Sequence, residues 1–176
     1  MHRAVRCRPQ NKREADLKSK MAIAMDLDRG TAEIDGQCFT YDFSFPSSTT
    51  QMELFQAVGV DCTRNAYRGF NVSLFAYGQT GAGKSYSMMG PRDYSANVGL
   101  TPRIARAILF CMERATAEGL LTEWAMTASY LEIYNEKIRD RERPFFLALS
   151  PLSPLSLSSL FSLFSLFFLF HLSSLS

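Results

Sequence analysis

The chain has 176 residues, 47% of them hydrophobic and 20% charged, which is typical of one globular domain and excludes a fibrous or disordered protein. Its net charge of +2 comes from 19 basic and 17 acidic residues without long runs, which argues against a basic surface for nucleic acid. The four cysteines form no Cys-x-x-Cys pair and the two histidines lie near opposite ends, so the spacing of a zinc site is absent. No apolar signal-peptide core follows the first residues, and we expect a cytoplasmic protein with reduced thiols.

The composition changes sharply along the chain. All 36 charged side chains lie between Arg3 and Arg143, whereas residues 144–176 carry none and hold half of the fourteen Phe. We therefore predict two regions: a globular part over residues 1–143, and a low-complexity tail rich in Ser, Leu and Phe over residues 144–176.

The first third of the chain predicts strands. A short apolar stretch at residues 5–7 ends before Pro9 and predicts a first strand. Apolar runs at 21–25 and 31–34, separated by turn residues, predict a small antiparallel pair. Residues 39–45 alternate between aromatic and polar side chains, which predicts one continuous, half-buried strand.

A helix and a buried strand follow. Thr50 and Glu53 form a capping box that starts an amphipathic helix reaching Gly69. The predicted apolar face of this helix consists of Leu54, Phe55, Val58, Cys62 and Ala66. Residues 72–77 are almost continuously apolar, which predicts a strand covered on both faces and leading into a glycine-rich turn.

A second helix and a last strand complete the globular part. Thr101 is the predicted N-cap, Pro102 the first helical residue and Gly119 the end of this helix. Its apolar face consists of Ile104, Ile108, Leu109 and Met112. Residues 124–134 alternate and predict a strand. Of its side chains we assign to the core Tyr130, Ile133 and Tyr134.

The glycine-rich turn matches Gly-x-x-x-x-Gly-Lys-Ser/Thr at every fixed position. It consists of Gly78, Gln79, Thr80, Gly81, Ala82, Gly83, Lys84 and Ser85. Glycines let such a loop wrap closely, so that successive backbone N–H groups converge on phosphate oxygens at the positive end of the following helix. Lys84 would reach the β- and γ-phosphates, and Ser85 would offer its hydroxyl to Mg²⁺. The alternative is a glycine-rich turn with a surface lysine.

The residues around this loop carry a family resemblance. Residues 75–90 read Phe-Ala-Tyr-Gly-Gln-Thr-Gly-Ala-Gly-Lys-Ser-Tyr-Ser-Met-Met-Gly. Three more segments stand in the same order: Val-Arg-Cys-Arg-Pro at 5–9, Phe-Thr-Tyr-Asp-Phe at 39–43, and Ser-Tyr-Leu-Glu-Ile-Tyr-Asn-Glu-Lys-Ile-Arg-Asp at 129–140. Together they resemble the kinesin motor domain over residues 3–140, most closely in the vesicle-transporting branch of N-terminal-motor kinesins.

The resemblance implies a fold, ligands and a site. The fold would be the N-terminal part of the kinesin-type phosphate-loop NTPase, an α/β structure with a central mixed sheet flanked by helices. The ligands would be ATP and Mg²⁺, with residues 78–85 on the phosphates, Ser85 on the metal, and Arg6, Pro9 and Tyr86 around the adenine. Arg6 could equally be a solvated charge at a strand end, and Tyr86 a packing residue.

Two switch motifs of the family do not occur in these residues. They are Asn-x-x-Ser-Ser-Arg-Ser-His, which senses the γ-phosphate, and Asp-Leu-Ala-Gly, which orders water and metal. The catalytic set is therefore incomplete, and we expect a truncated motor domain that lacks hydrolysis and microtubule binding. Because some partners of the 72–77 strand belong to the absent part, its faces should be exposed, and we expect the chain to misfold or to depend on chaperones.

The tail has its own alternatives. Residues 149–170 use only Ser, Pro, Leu and Phe, whose codons can consist entirely of pyrimidines, and this favours a misjoined exon or a retained intron. The alternative is a membrane anchor, because an uncharged segment of this length exceeds the roughly 20 residues that a bilayer span needs. The serines in the segment weaken that alternative.

Three hypotheses about function remain. The first is a fragment of a cytoplasmic, cytoskeletal motor whose parent protein binds microtubules and moves along them. The second is a non-catalytic truncated isoform that acts at most as an interaction fragment. The third is an unrelated phosphate-loop kinase or GTPase, for which the sequence offers no base or acceptor site.

Overall fold

The computed structural model describes residues 1–91, 97–122, 124–134, 137–140, 145–147 and 168–173. Beyond Met126 it describes the backbone of the strands and the side chain of Ile133. The described residues combine helices with parallel and antiparallel strand pairs, which confirms the α/β class. The arrangement is consistent with part of a phosphate-loop NTPase fold.

The strands of the described residues lie in three sheets. Their bounds are β1 Ala4–Arg6, β2 Ile23–Asp26, β3 Thr31–Ile34, β4 Gln37–Thr40, β5 Phe43–Phe45, β6 Ala125–Tyr134, β7 Lys137–Asp140, β8 Phe145–Leu147 and β9 Phe168–Ser173. β1 pairs in parallel with β5, and β2, β3 and β4 form an antiparallel sheet in that order. β6 pairs antiparallel with β7, β8 and β9. The predicted first strand and antiparallel pair are confirmed.

The single strand predicted over residues 39–45 is wrong, because the structure divides it between two sheets. The Tyr41 N–H donates to the Gly30 carbonyl at 2.8 Å, whereas the Asp42 N–H donates to the Arg3 carbonyl at 2.9 Å. The chain therefore leaves one sheet at Tyr41 and joins another one residue later. Phe39 is 43% exposed while Phe45 lies in the core, so the alternating aromatic side chains do not share one buried face.

The helices are bounded as α1 Lys12–Asp16, α2 Gln51–Leu54, α3 Val60–Tyr67, α4 Lys84–Met88 and α5 Leu100–Ala117, with a π-helical segment Phe55–Gly59 joining α2 to α3. The predicted capping box is confirmed: the Glu53 N–H donates to Thr50 Oγ1 at 3.2 Å, and the Thr50 N–H donates to Glu53 Oε2 at 2.7 Å. Gly69 follows the helix with a φ of 85°, a left-handed conformation that suits glycine.

The predicted start of the second helix is wrong by two residues. Gly99, not Thr101, is the N-cap of α5, and Leu100 is the first helical residue. Leu100 is buried in the core, so extending the helix adds an apolar contact. Pro102 remains inside the first turn, where its missing N–H would have no intrahelical partner in any case.

One apolar core joins α2, α5 and the start of β6. Its buried members are Phe45, Leu54, Leu100, Ile104, Ile108, Leu109, Met112, Trp124 and Met126. Ile108 is completely buried at its centre. The predicted apolar faces of both helices therefore meet in this core. The other residues of the first face, from Phe55 to Ala66, are partly buried against it.

The strand predicted over residues 72–77 does not form. No strand in the described parts of the chain pairs with this segment, and a strand without a partner leaves its N–H and C=O groups to water. Phe75 is 79% exposed and Tyr77 is fully exposed, while Leu74 alone packs against the core. The apolar run thus reaches the glycine-rich loop as an exposed, irregular segment.

The strand predicted over residues 124–134 is confirmed as β6, with Trp124 just before it. Trp124 and Met126 are buried, but Ile133 is 67% exposed, so its assignment to the core is wrong. Ile133 lies in the part of β6 that pairs with β7. The side chains of Tyr130 and Tyr134 lie outside the described residues.

Two pieces of the tail pair with β6. β8 pairs with residues 126–128 and β9 with residues 125–130. The rest of residues 144–176, including the Leu-Phe-Ser run, lies outside the described residues, and the division into two regions stays a prediction. In the described part of the chain, no helix is both long and apolar enough to cross a membrane.

Candidate functional site

The glycine-rich loop lies between the exposed segment 70–77 and α4. Gly81 and Gly83 have φ values of 82° and 94°, left-handed conformations that other residues adopt only with strain. A Cβ added at Gly81 would meet no atom within 4 Å, so open space adjoins this part of the loop. The backbone therefore has the tight curvature and the free approach that a phosphate needs.

Lys84 closes this loop on itself. Its Nζ donates to the Gly78 carbonyl at 2.6 Å and to the Gln79 carbonyl at 2.8 Å. These bonds hold the ammonium group across the mouth of the loop, at the first residue of α4. The lysine is thus bound to the loop backbone, and its role on a phosphate stays a prediction.

The start of α4 presents donors and a hydroxyl. The first helical hydrogen bond runs from the Ser87 N–H to the Gly83 carbonyl, so the N–H groups of Lys84, Ser85 and Tyr86 lie ahead of the intrahelical ladder. Ser85 is exposed next to them. Backbone donors, one ammonium group and one hydroxyl are the groups that a magnesium-bound triphosphate requires, and the residues present therefore fit ATP with Mg²⁺.

Arg6 and Tyr86 lie together beside this loop. The Arg6 guanidinium carbon is 5.4 Å from the centroid of the Tyr86 ring, within the range of a cation–π contact. Arg6 Nη1 donates to Ser87 Oγ at 3.0 Å, and Nη2 donates to the Thr49 carbonyl at 2.9 Å. Partial burial lowers the pKa of the Arg6 guanidinium, with the Tyr86 hydroxyl acting in the opposite direction. Arg6 therefore has protein hydrogen-bond partners at the end of its strand, and its contact with adenine stays a prediction.

Pro9 is exposed one residue beyond Arg8. Arg8 Nη1 donates to the Pro9 carbonyl at 2.9 Å, and a Cβ added at Gly83 would lie 3.8 Å from the Arg8 Cβ. The connection from β1 to α1 thus runs beside the glycine-rich loop. The segment of Pro9 therefore lies near the loop, and the contact of Pro9 with adenine stays a prediction.

Gln51 adjoins the candidate site and was not predicted from the sequence. Its side chain is 2% exposed, and it joins Arg6 to α4 by hydrogen bonds on both sides of its amide. The available clue was its position: Gln51 lies three residues before Leu54, on the buried face of a helix whose other inward positions are apolar. A polar residue on such a face requires polar partners.

The loop, the helix after it and the α/β fold define a nucleotide-binding protein of the phosphate-loop class. A family model described as the kinesin motor domain matches residues 6–142. Kinesin-like protein KIF16B of Mus musculus is 41% identical over 158 residues, covering 78% of this chain and 12% of the relative. Kinesin-like protein KIF13B of Homo sapiens is 36% identical, covering 78% of this chain and 8% of the relative. Kinesin-like protein unc-104 of Caenorhabditis elegans is 32% identical, covering 80% of this chain and 10% of the relative.

The chain belongs to the kinesin motor domain family, as the sequence predicted. Members of this family bind ATP with Mg²⁺ and interact with microtubules as cytoskeletal motor proteins. The chain spans about an eighth or less of the length of the three relatives named above.

Proposed function

We propose that this chain binds Mg-ATP at residues 78–85 as part of a cytoplasmic kinesin motor whose parent protein moves along microtubules. The observation that carries the proposal is the loop geometry: left-handed glycines, with the Lys84 ammonium held across the loop mouth at the start of α4. The family membership supports the same ligand.

The phosphate side of the site follows from charge and donors. Lys84 would exchange its two loop carbonyls for the β- and γ-phosphate oxygens, because an ammonium group binds a charged phosphate more strongly than a neutral carbonyl. The N–H groups at the start of α4 would donate to the same oxygens. Ser85 would hold Mg²⁺, which when bound neutralises charge on the phosphates.

The base side of the site would use Arg6, Pro9 and Tyr86. Tyr86 is 45% exposed, and the Arg6 guanidinium lies against its ring. An aromatic ring and a planar cation are surfaces on which a purine can stack. The family resemblance and the proximity of Arg6 to Tyr86 support this assignment.

We propose further that this chain alone binds nucleotide without completing hydrolysis. Phosphoryl transfer to water needs a positioned water and stabilisation of charge at the γ-phosphate. The family's two switch motifs, which supply these functions, do not occur in the 176 residues. Microtubule-stimulated phosphate release by the purified chain would contradict this part of the proposal.

The second candidate is a non-catalytic interaction fragment, and the exposed segment 70–77 favours it. Phe70, Phe75 and Tyr77 present a run of large apolar side chains to solvent, and exposed runs of this kind mark sites of protein association. The two candidates are compatible, because the segment adjoins the glycine-rich loop without covering it.

The experiment is calorimetric titration of Mg-ATP into the full chain and into Lys84→Ala. Removing the ammonium group should weaken binding at least tenfold, because a hydrogen bond between a charged group and its partner contributes roughly 1.5–3 kcal/mol. Lys20→Ala is the matched control, since Lys20 is exposed and remote in sequence from the loop. Equal affinities in all three proteins would refute the assignment of the loop to phosphate.

A further inference from the structure

Gln51 is 2% exposed and lies next to the candidate site, and it makes none of the hydrogen bonds of Lys84. We propose that Gln51 is a positioning residue: it holds Arg6 and Tyr86 in the arrangement that receives the purine base, and so sets the affinity for the base separately from that for the triphosphate. This inference rests on the proposed function.

The donors and acceptors around Gln51 allow only one orientation of its amide. Gln51 Nε2 donates to the Tyr86 carbonyl at 2.6 Å, and Gln51 Oε1 accepts from Arg6 Nη1 at 2.9 Å. A guanidinium can only donate and a carbonyl can only accept. Reversing the amide would place two donors together and two acceptors together, so both bonds specify Gln51 in this orientation.

The two bonds join three elements. Arg6 ends β1, Gln51 begins α2 and Tyr86 lies within α4. The Tyr86 carbonyl also accepts from the Gly90 N–H at 2.9 Å and from the Met89 N–H at the end of α4. Gln51 therefore fixes the carbonyl of Tyr86 and the guanidinium of Arg6 at the same time.

Loss of the Gln51 amide should mainly affect the base side of the site, which Arg6 and Tyr86 form. Without the Gln51 amide, the Arg6 guanidinium would lose one of its three hydrogen-bond partners, and the Tyr86 carbonyl would lose the donor that ties it to α2. The pair would then lose its fixed geometry, and affinity for the base would fall with it. The polar contacts of Lys84 are with Gly78 and Gln79, and Gln51 bonds the carbonyl of Tyr86 and not its N–H, so affinity for the triphosphate should change much less than affinity for the base.

The test separates the two sides by using two ligands. Mg-ATP and magnesium tripolyphosphate, which has no base, are each titrated by calorimetry into the full chain and into Gln51→Met. Methionine has a similar length and volume but no amide. We expect affinity for ATP to fall about tenfold and affinity for tripolyphosphate to change less than twofold.

Two further variants keep the result interpretable. Gln51→Glu retains an acceptor for Arg6 but loses the donor to the Tyr86 carbonyl, and it should show a smaller, selective loss of ATP affinity. Gln56→Met is the matched control, because Gln56 is exposed in the π-helical segment that follows α2, and it should leave both affinities unchanged. Thermal unfolding of each variant checks its folding. If Gln51→Met does not fold, the affinities of Gln51→Glu for ATP and for tripolyphosphate show whether the loss is selective.

If Gln51 has only a general structural role, Gln51→Met should lower both affinities together. If Gln51 is irrelevant to binding, the substitution should lower neither. Either result overturns the inference. A chain that binds ATP without dependence on Lys84 would instead overturn the proposed function, which is measured independently in the unsubstituted protein.

Discussion

Glycine is required at position 59 because the helix leaves no room there for a side chain. Its backbone conformation does not itself demand glycine. Gly59 has an ordinary helical φ of −70° and is buried at the junction of the π-helical segment with α3. A Cβ added there would lie 2.3 Å from Phe55 Cδ2, and Phe55 packs against the core. One missing methyl group therefore lets the Phe55 ring lie flat against its own helix.

The Gly59→Ala variant should consequently be less stable, although alanine is the better helix former by about 1 kcal/mol. Displacing a packed ring costs more than this gain, and we expect the free energy of unfolding to fall by about 1–2 kcal/mol. Urea denaturation followed by circular dichroism measures it. In a Phe55→Ala background the same change should become neutral or stabilising, because the clash is removed. A stabilising effect in both backgrounds would contradict the steric explanation.

At the scale of the element, α1 is held by polar contacts. None of its five residues is buried, and a helix this short is not stable by propensity alone. Asn11 and Glu14 form a capping box at its start, with the Glu14 N–H donating to Asn11 Oδ1 at 2.9 Å. Glu14 also accepts from Arg8 Nη1 at 2.7 Å, which ties α1 to the chain leaving β1 beside the glycine-rich loop.

These contacts predict a dependence of stability on pH. The Arg8 side chain and then the Asn11 N–H lower the pKa of Glu14 from 4.5 to about 2. A pKa lower in the folded than in the unfolded state means that the stabilisation is complete above about pH 4.5 and is lost as pH falls toward 2. Thermal unfolding from pH 6 to pH 2 should therefore show a steeper loss of Tm in the natural chain than in Glu14→Gln. Parallel curves would show that Glu14 does not contribute.

At the scale of the whole molecule, most of residues 70–77 lies outside the apolar core. The core joins both long helical stretches to Trp124 and Met126, whereas Phe75 and Tyr77 face solvent. Of this segment only Leu74 reaches the core. An apolar run that is exposed next to the site favours association with another surface.

We expect this segment to cause self-association of the chain. Phe75→Ser should shift the population toward monomer, measured by light scattering after size-exclusion chromatography, and should leave the urea midpoint unchanged. Leu74→Ser is the contrasting variant, since it removes a partly buried side chain and should lower the free energy of unfolding by about 1–3 kcal/mol. Phe75→Ser would refute the assignment if it destabilised the chain as much as Leu74→Ser does.

The sequence predicted those residues of the candidate site that belong to one contiguous motif. The glycine positions, Lys84 and Ser85 are specified by a contiguous motif, and their conformation depends on neighbours in the chain. Gln51 was not predictable in the same way, because its partners lie 45 and 35 residues away in Arg6 and Tyr86. Nothing within one turn of Gln51 shows which donor and acceptor it will meet.

Sequence alone determined the family, the glycine-rich loop, the capping box at Thr50 and the apolar faces of α3 and α5, since each depends on motif spacing or helical periodicity. Tertiary structure alone decided that residues 39–45 divide between two sheets, that Ile133 is exposed and that residues 72–77 form no strand. Ile133 lies in a strand that is paired, and the exposure of its side chain depends on the tertiary packing around that strand. For residues 39–45 and 72–77 the physical reason is the same. A helix satisfies its hydrogen bonds within itself, whereas a strand exists only where a partner strand supplies them.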